Sequence, residues 1–180
     1  MTGSDRKKYF SIDTPFGPCT VVFRKMPFRI CSVFLPGQAV ALPGGRKGNG
    51  FYDNPKGPAE AREAARKIER YFKGEPLKVP VKWLDLGALT PLQRKVLLAT
   101  AEIPYGHTVS YGTLAKKIDR PRAYRFVGST MAINPVPLII PCHRVIKSDG
   151  RIGRFGGGVE LKRGLIALEK EHSRKGEKPN

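Results

Sequence analysis

The spacing of apolar residues changes character part-way along this chain, and the change limits the folds open to it. In the first part, apolar and polar side chains alternate over residues 9–13, 18–24 and 28–34, as in half-buried β-strands. In the second part, apolar residues recur every three or four positions, as on the buried face of a helix. A single repeated unit is excluded. The pattern predicts an α+β protein, with a domain boundary near residues 85–88.

The first predicted domain, residues 1–86, has the features of a small α+β scaffold. Its three alternating runs follow one another closely, which indicates a hairpin or meander. Residues 36–58 are rich in Gly and Pro and are expected to form a loop. A helix is predicted over residues 59–73, ending at Gly74. A further strand is expected over residues 76–86. No pattern in this domain points to chemistry.

A sharp helix start opens the second predicted domain, residues 87–172. Thr90 suits the N-cap, Pro91 the first helical position, and Gln93 completes a capping box. The helix is expected to end near residues 103–106, where Pro and Gly occur together.

A compact helix pair is predicted next. Ser110 can cap a helix with apolar residues on one face, and residues 119–121 form a short turn. A second helix is expected to end at Asn134, because Pro135 follows it. Two short helices around a tight turn suggest a helix-turn-helix, in a mainly helical, winged-helix-like domain. Any helical hairpin gives a similar pattern, so that alternative stays open.

The charge of the chain favours a polyanionic partner. Lys and Arg number 33 against 15 Asp and Glu, a formal net charge of +18 over 180 residues. Nucleic acid is the first candidate, although Lys-rich tails raise the net charge without any partner. No apolar run approaches the roughly 20 residues of a membrane span, and the N-terminus lacks the apolar segment of a signal peptide. The protein is therefore expected inside the cell.

The cysteines exclude a disulfide scaffold, because there are only three of them. Cys19 and Cys31 lie in adjacent strand-like runs, where they could pair or serve as small apolar side chains. Cys142 is the remaining thiol. With no Cys-x-x-Cys motif and three His, no metal site and no cofactor are predicted.

The most informative segment surrounds Cys142. Residues 138–140 form an apolar run typical of a buried strand or core segment, and Pro141 interrupts any strand pairing. Cys142 is followed by His143 and Arg144, whose positive charge would favour the thiolate over the thiol. From these residues alone, a reactive thiol and a buried Cys beside two exposed polar residues are equally good interpretations.

The run Pro141-Cys142-His143-Arg144-Val145 resembles the active-site signature of the O6-alkylguanine-DNA alkyltransferases, also called methylated-DNA–protein-cysteine methyltransferases. The resemblance covers roughly residues 88–170, whereas the first half is similar only in its opening and length. Further matches in the family's order and spacing are Ile103-Pro104-Tyr105-Gly106, Val109-Ser110-Tyr111, Arg125 with Val127-Gly128, Asn134-Pro135-Val136-Pro137, Gly156-Gly157-Gly158 and Ala167-Leu168-Glu169.

The resemblance implies a reaction centre of four residues. Cys142 would accept the alkyl group, and His143 would act as base through a bridging water. Glu169 would orient the imidazole, in the manner of an activated thiol. Asn134 would sit at a hinge and bridge backbone groups with its amide, although it could also be a simple helix C-cap.

The resemblance also implies contacts to DNA and to the damaged base. Tyr111 would donate a hydrogen bond to a ring nitrogen of the leaving guanine. Arg125 would fill the space left when the damaged nucleotide leaves the base stack. Further positions fall where the family touches the DNA backbone or the alkyl pocket, namely Gly112, Arg120, Ser148, Met131, Val145, Gly156 and Gly157.

The sequence departs from common family patterns beside Arg125 and near the lesion. Tyr124 and Phe126 flank Arg125 where many relatives have small residues, and Phe126 is expected to turn into the core. Gly156 stands where a Ser often faces the lesion oxygen, so that any contact there would come from a backbone N–H. The zinc ligands of some animal relatives are absent.

The resemblance implies direct repair of double-stranded DNA that contains alkylated guanine. Each monomer would accept one alkyl group on Cys142, irreversibly, in the cytoplasm with the nucleoid or in the nucleus of a eukaryote. A damage sensor without transfer activity is a second hypothesis, but related sensors replace the Cys that this chain retains. A dimeric transcription regulator and a multiple-turnover thiol hydrolase are further alternatives. The basic tail, residues 173–180, is expected to be disordered.

Overall fold

The computed structural model describes residues 7–38 and 57–176, with side chains described as far as Arg174. The chain divides into two compact units, Met1–Leu86 and Gly87–Asn180. It is a mixed α+β protein, as the residue spacing predicted.

The first unit contains a three-stranded antiparallel sheet. Its strands are β1 (Lys8–Ile12), β2 (Cys19–Lys25) and β3 (Phe28–Phe34), in the order β1-β2-β3. Tyr9 is opposite Val22 in the first pair, and an irregularity at Val22/Phe23 shifts the register of the second. The three predicted strands are confirmed, with small shifts at their ends. Most of the loop predicted over residues 36–58 lies outside the described residues.

Helix α1 (Ala59–Phe72) packs its apolar side in the core of this unit. Gly74 ends it as predicted, in the left-handed conformation at φ 99°. The N–H groups of Gly74 and Glu75 donate to the carbonyls of Tyr71 and Arg70, which is the Schellman arrangement.

The strand predicted over residues 76–86 is wrong. A short 3-10 helix, Val81–Trp83, takes its place, and Leu84 forms an isolated bridge to Ile30. Pro76 and Pro80 have no N–H to donate to a ladder. The ring of Trp83 instead packs edge-on against the ring of Phe28, with 5.4 Å between their centroids.

The second unit is mainly helical. Helix α2 (Pro91–Ala101) begins with the predicted capping box, because the Thr90 and Gln93 side chains each accept from the other's backbone N–H. Helices α3 (Tyr111–Lys117) and α4 (Tyr124–Ala132) form the predicted helix pair. Strands β4 (Val109–Ser110) and β5 (Val145–Ile146) pair in parallel, and helix α5 (Val159–Gly176) completes the unit.

The start of the tail is helical, contrary to the prediction that residues 173–180 are disordered. Helix α5 continues through Gly176. A Cβ on Gly106 would lie 2.7 Å from the Cβ of Ser173, so the last turns of α5 are packed against the Gly106 backbone. Residues 177–180 lie outside the described part of the chain.

A hydrophobic cluster in the second unit joins helices α2, α3 and α4 to strand β5. Val96 and Ala99 of α2, Leu114 of α3 and Val127 of α4 meet Val145 of β5 there. Because Val145 comes soon after Cys142, this core fixes the position of the segment that carries the thiol.

Candidate active site

The Cys142 thiol follows a buried, tightly turned segment. Residues 136–141 are all buried but form no strand, only an isolated bridge between Pro137 and Ile140. The Cys142 N–H donates to the Ile140 carbonyl at 2.8 Å across Pro141, whose φ −80° and ψ 64° define an inverse γ-turn. A 3-10 helix, Cys142–Arg144, begins at once. The backbone on both sides of the thiol is therefore held in fixed turns.

Asn134 links the end of α4 to this turn. Its Nδ2 donates to the Ile140 carbonyl at 2.9 Å, and its Oδ1 accepts from the Val136 N–H at 3.1 Å. A hydrogen bond from the same amide reaches the Cys142 thiol and favours its thiolate. The side chain thus does more than cap a helix, since it spans the hinge between α4 and the turn.

Burial favours the protonated thiol of Cys142 over its thiolate, and the neighbours along the sequence do not reverse this effect. Burial raises the pKa of Cys142, and this exceeds the opposing effects of the Asn134 hydrogen bond and the Lys162 charge. His143 and Arg144 do not supply a free positive charge to the sulfur, because both bond to Glu169. Removal of the thiol proton must therefore be part of any reaction at this sulfur.

Glu169 organises a buried network beside the thiol. Its Oε1 accepts from His143 Nε2 at 2.7 Å and from Arg144 Nη2 at 3.0 Å. Its Oε2 accepts from Arg144 Nε at 2.8 Å and from the Gly106 N–H at 3.1 Å. Arg144 also donates to the Ile103 carbonyl at 2.6 Å. The imidazole and the guanidinium are locked in place by one carboxylate.

The charges in this network follow from burial and pairing. Burial alone would raise the pKa of Glu169, but the hydrogen bonds and charges of His143 and Arg144 lower it to about 2. Burial lowers the pKa of His143 by more than Glu169 raises it. At neutral pH, an ionised carboxylate therefore faces a neutral imidazole. With Nε2 bonded to Glu169, Nδ1 is the ring atom that can take up a proton.

Tyr111 is brought to the thiol by the pairing of β4 with β5. Ser110, at the end of β4, is opposite Ile146 of β5, so the start of α3 lies beside the segment that follows Cys142. Burial and the Cys142 charge raise the pKa of Tyr111, which keeps its hydroxyl protonated as a donor. A Cβ on Gly153 would lie 2.7 Å from that hydroxyl. Gly153 is therefore a close neighbour of Tyr111 that the residue pattern did not indicate.

Lys162 is a second residue that the pattern did not indicate. It is 1% exposed and donates from Nζ to the Val145 carbonyl at 2.6 Å. Burial lowers its pKa to about 8, opposed by the negative charge that Cys142 can carry. On the sequence it is one of many α5 cations. Its helical spacing from Leu165 and Glu169, both buried, was the available signal.

The predicted DNA-contact residues lie mostly at the surface. Arg120, Arg125, Ser148 and Gly156 are exposed, and Gly112 and Gly157 are partly exposed. Of the four residues predicted around the alkyl pocket, Gly156 and Gly157 are thus exposed or partly exposed, and the other two are associated with the hydrophobic cluster. The side chain of Val145 is fully buried in the hydrophobic cluster, and Met131 packs against that cluster with its sulfur 3.8 Å from the Thr100 hydroxyl.

The two residues beside Arg125 have different environments. Phe126 packs against the hydrophobic cluster, as predicted. Tyr124 is 49% exposed, and the Arg125 guanidinium carbon lies 5.9 Å from its ring centroid.

The other two cysteines form no disulfide, and the described residues contain neither a metal-binding cluster nor a membrane-spanning helix. Cys19 and Cys31 are both free and buried. Within residues 7–38 and 57–176, no cluster of three or more His, Cys, Asp or Glu side chains could hold a metal. Every helix in those ranges is too short or too polar to serve as a membrane span.

Comparison with known proteins decides the family. The family described as 6-O-methylguanine DNA methyltransferase, DNA binding domain, matches residues 91–171. A methylated-DNA–protein-cysteine methyltransferase of Methanosarcina barkeri is 40% identical over 166 residues, covering 92% of this chain and 99% of that protein. The chain belongs to the methylated-DNA–protein-cysteine methyltransferase family. A family member from Mycobacterium tuberculosis is 35% identical over 170 residues, which cover 92% of this chain and 93% of that protein.

Solved structures agree with this family assignment. The crystal structure of Mycobacterium tuberculosis OGT in complex with DNA has a TM-score of 0.73 and 34% identity, covering 91% of this chain and 93% of its own. The O6-methylguanine-DNA methyltransferase from Pyrococcus kodakaraensis shares the fold at a TM-score of 0.60 and 22% identity. The resemblance found in the second half of the sequence is confirmed.

Replacing Gly153 with alanine is expected to slow alkyl transfer by roughly 10-fold, because a displacement of even 1 Å in a positioned group can cost more than that. The new Cβ would lie 2.7 Å from the Tyr111 hydroxyl and would push the ring aside. Single-turnover transfer from alkylated duplex measures the effect. Adding Gly153→Ala to Tyr111→Phe should then cause little further loss. Fully additive losses would show that Gly153 does not act through Tyr111.

Proposed function

We propose that this protein repairs alkylated DNA by direct reversal. It transfers the alkyl group from O6 of guanine, above all from O6-methylguanine, to the sulfur of Cys142. O4-alkylthymine is a second lesion with the same chemistry. The observation that carries the proposal is the buried His143–Glu169 pair directly beside a buried thiol, in a chain of this family.

The reaction is a displacement at the alkyl carbon. The proton of the Cys142 thiol passes through a water to Nδ1 of His143, and the imidazolium is stabilised by Glu169. The sulfur then forms a C–S bond to the alkyl carbon as the bond between that carbon and O6 breaks. Because burial raises the pKa of Cys142, the thiolate forms only when the base removes the proton.

The leaving group is a guanine anion, and Tyr111 stabilises its negative charge with a hydrogen bond. Its hydroxyl stays protonated because burial raises its pKa, and it can donate to a ring nitrogen of the departing base. Asn134 positions the turn that carries the thiol, through its hydrogen bond to the Ile140 carbonyl.

A thiol that is 5% exposed cannot reach a base inside a duplex. The damaged nucleotide must rotate out of the stack, and Arg125, exposed near the start of α4, fills the gap. The remaining proposed contacts to DNA and to the alkyl pocket are made by Gly112, Arg120, Ser148, Met131, Val145, Gly156 and Gly157.

The two units divide the work. The second unit, proposed to function over residues 87–172, carries DNA binding and alkyl transfer, and the first serves as scaffold. The protein acts as a monomer on double-stranded DNA, in the cytoplasm with the nucleoid or in a nucleus. No cofactor is required, because the thiolate itself accepts the group. A thioether has no low-energy route back to a thiol, so each molecule acts once.

Intact-protein mass spectrometry after incubation with O6-methylguanine duplex tests the proposal. A gain of about 14 Da on the Cys142 peptide, stopping at one methyl per molecule, is expected. Cys142→Ala should gain nothing and leave the lesion in place. If the Cys142→Ala protein still demethylates the duplex, or if the wild type turns over repeatedly, the proposal is wrong.

A further inference from the structure

Tyr124 exposes an aromatic ring at the first position of α4. It is 49% exposed, although aromatic side chains usually bury most of their surface. Phe126, two residues later, shows the usual outcome, because it packs against the hydrophobic cluster of the second unit. The helix therefore offers a core position to one aromatic side chain and leaves the other in contact with solvent.

The ring of Tyr124 is associated with a cation. The Arg125 guanidinium carbon lies 5.9 Å from its centroid, within the range of a cation–π interaction. Such a contact limits the orientations of a side chain that would otherwise be free at the surface.

The surroundings of the ring are basic. Arg120 and Arg122 precede Tyr124 and are exposed, as is Arg125. In the part of the chain that the structure describes, no ion pair joins these three arginines to an acidic side chain. The nearby Asp119 instead accepts from Lys95 at 3.0 Å. An exposed aromatic ring among uncompensated arginines is the combination that binds nucleobases next to phosphates.

We infer that Tyr124 is a further DNA-contacting residue, whose ring stacks on a nucleobase beside the gap that Arg125 fills. Tyr124 and Arg125 then act as a two-residue wedge, in which one side chain occupies the vacated space and the other supports the adjacent base. This inference rests on the DNA binding and nucleotide extrusion of the proposed function and is independent of the transfer step. It extends it by adding a stacking contact that is indifferent to base identity, because every base has a π-face.

The test compares Tyr124→Ala and Tyr124→Phe with the wild type. Ile133→Ala is the matched control, because Ile133 is 48% exposed and is the C-cap residue at the other end of α4. Each protein is given O6-methylguanine in a duplex and, separately, O6-methylguanine as the free base, which needs no extrusion. Single-turnover methylation of Cys142 is measured for both substrates.

Tyr124→Ala should slow transfer from the duplex by about 10-fold, the loss expected when one base-stacking ring is removed. Transfer from the free base should be unchanged. Tyr124→Phe, which retains the ring, and Ile133→Ala should behave as wild type on both substrates. Equal losses on duplex and free base would instead indicate a structural role, and an unchanged duplex rate in Tyr124→Ala would also overturn the inference.

A binding measurement separates this inference from the proposed function. In a Cys142→Ala background, the fluorescence of 2-aminopurine beside the lesion reports whether a ring stacks on that base. Tyr124→Ala should weaken binding about 10-fold and remove the change in fluorescence. Suppose that the protein with Tyr124 binds the duplex and changes the 2-aminopurine fluorescence, but that the wild type transfers no methyl group to Cys142. The proposed function would then fail and the inference about Tyr124 would stand. Unchanged binding and fluorescence in Tyr124→Ala would overturn the inference alone.

Discussion

Replacing Glu169 with glutamine is expected to destabilise the protein by about 3–5 kcal/mol, the cost of breaking a buried ion pair by removing one partner, and to abolish measurable alkyl transfer. The two carboxylate oxygens accept from four N–H donors. Each oxygen receives two of these donors. A carboxamide must place its NH2 group at one of the two oxygen positions. There the NH2 group, itself a donor, would face two N–H donors and could accept from neither.

The loss of activity has a separate cause. Without the carboxylate, the imidazolium formed when His143 takes up the thiol proton has no stabilising charge. Urea unfolding measures the stability, and single-turnover methylation measures the rate. Glu160→Gln on the same helix is the control, because Glu160 is in an exposed ion pair with Arg163 and should lose less than about 1 kcal/mol. Equal effects of the two substitutions would contradict this account of the network.

The stability difference should also depend on pH. The folded-state pKa of Glu169 is about 2, below the ordinary value of 4.5. A group whose pKa is lowered by folding contributes stability that is fully present above its unfolded pKa and is lost as pH falls through the folded value. The difference in the free energy of unfolding between wild type and Glu169→Gln should therefore decrease as pH falls from about 5 to 2. If this difference instead increased in acid, Glu169 could not be the ionised, paired carboxylate described here.

Local signals predicted the elements of the fold that depend on short stretches of chain. The capping box at Thr90 and Gln93 and the glycine stop at Gly74 formed as expected, because cap hydrogen bonds join residues within one turn. The strand predicted over residues 76–86 failed for a comparable local reason. Pro76 and Pro80 have no N–H to donate to a strand ladder.

The sequence identified the nucleophile of the active site but only some of the residues around it. Cys142 and His143 were indicated by the local sequence, whereas Glu169 and the roles of all three came from the family resemblance, and the structure brings them together. The role of Arg144 was not foreseen, because its partner Glu169 is 25 positions away in the sequence. Lys162 and Gly153 were missed because their importance depends on burial and on a close approach to Tyr111, which only tertiary packing creates.

Replacing Lys162 with methionine is expected to slow alkyl transfer by about 10- to 100-fold without destabilising the protein. The charge of Lys162 lowers the pKa of the Cys142 thiol against the effect of burial, so its removal leaves less thiolate for the reaction. Lys162 is the charged group that favours the Cys142 thiolate in this site, whereas Arg144 is engaged with Glu169. Methionine fills a similar volume and does not require a buried charge to be solvated.

Stability and reactivity should respond to Lys162 in opposite directions. Burial lowers the folded-state pKa of Lys162 to about 8 from 10.5, so folding opposes its charged form. That penalty is fully present below pH 8 and is relieved as pH rises from 8 to 10.5, because the unfolded chain then binds more protons. Lys162→Met should be at least as stable as wild type at pH 7, and the difference should shrink above pH 8.

The reactivity of Cys142 with iodoacetamide, measured against pH, isolates the electrostatic effect without DNA. Below pH 8, where Lys162 is charged, the wild type should react faster than Lys162→Met, because the cation favours the thiolate. Lys162→Arg, which keeps the charge, should lie closer to wild type. If all three proteins share one pH profile while transfer from DNA still falls, Lys162 acts by holding the Val145 carbonyl in place. A shifted profile would show that the protein tolerates a buried cation because it helps the thiol to lose its proton.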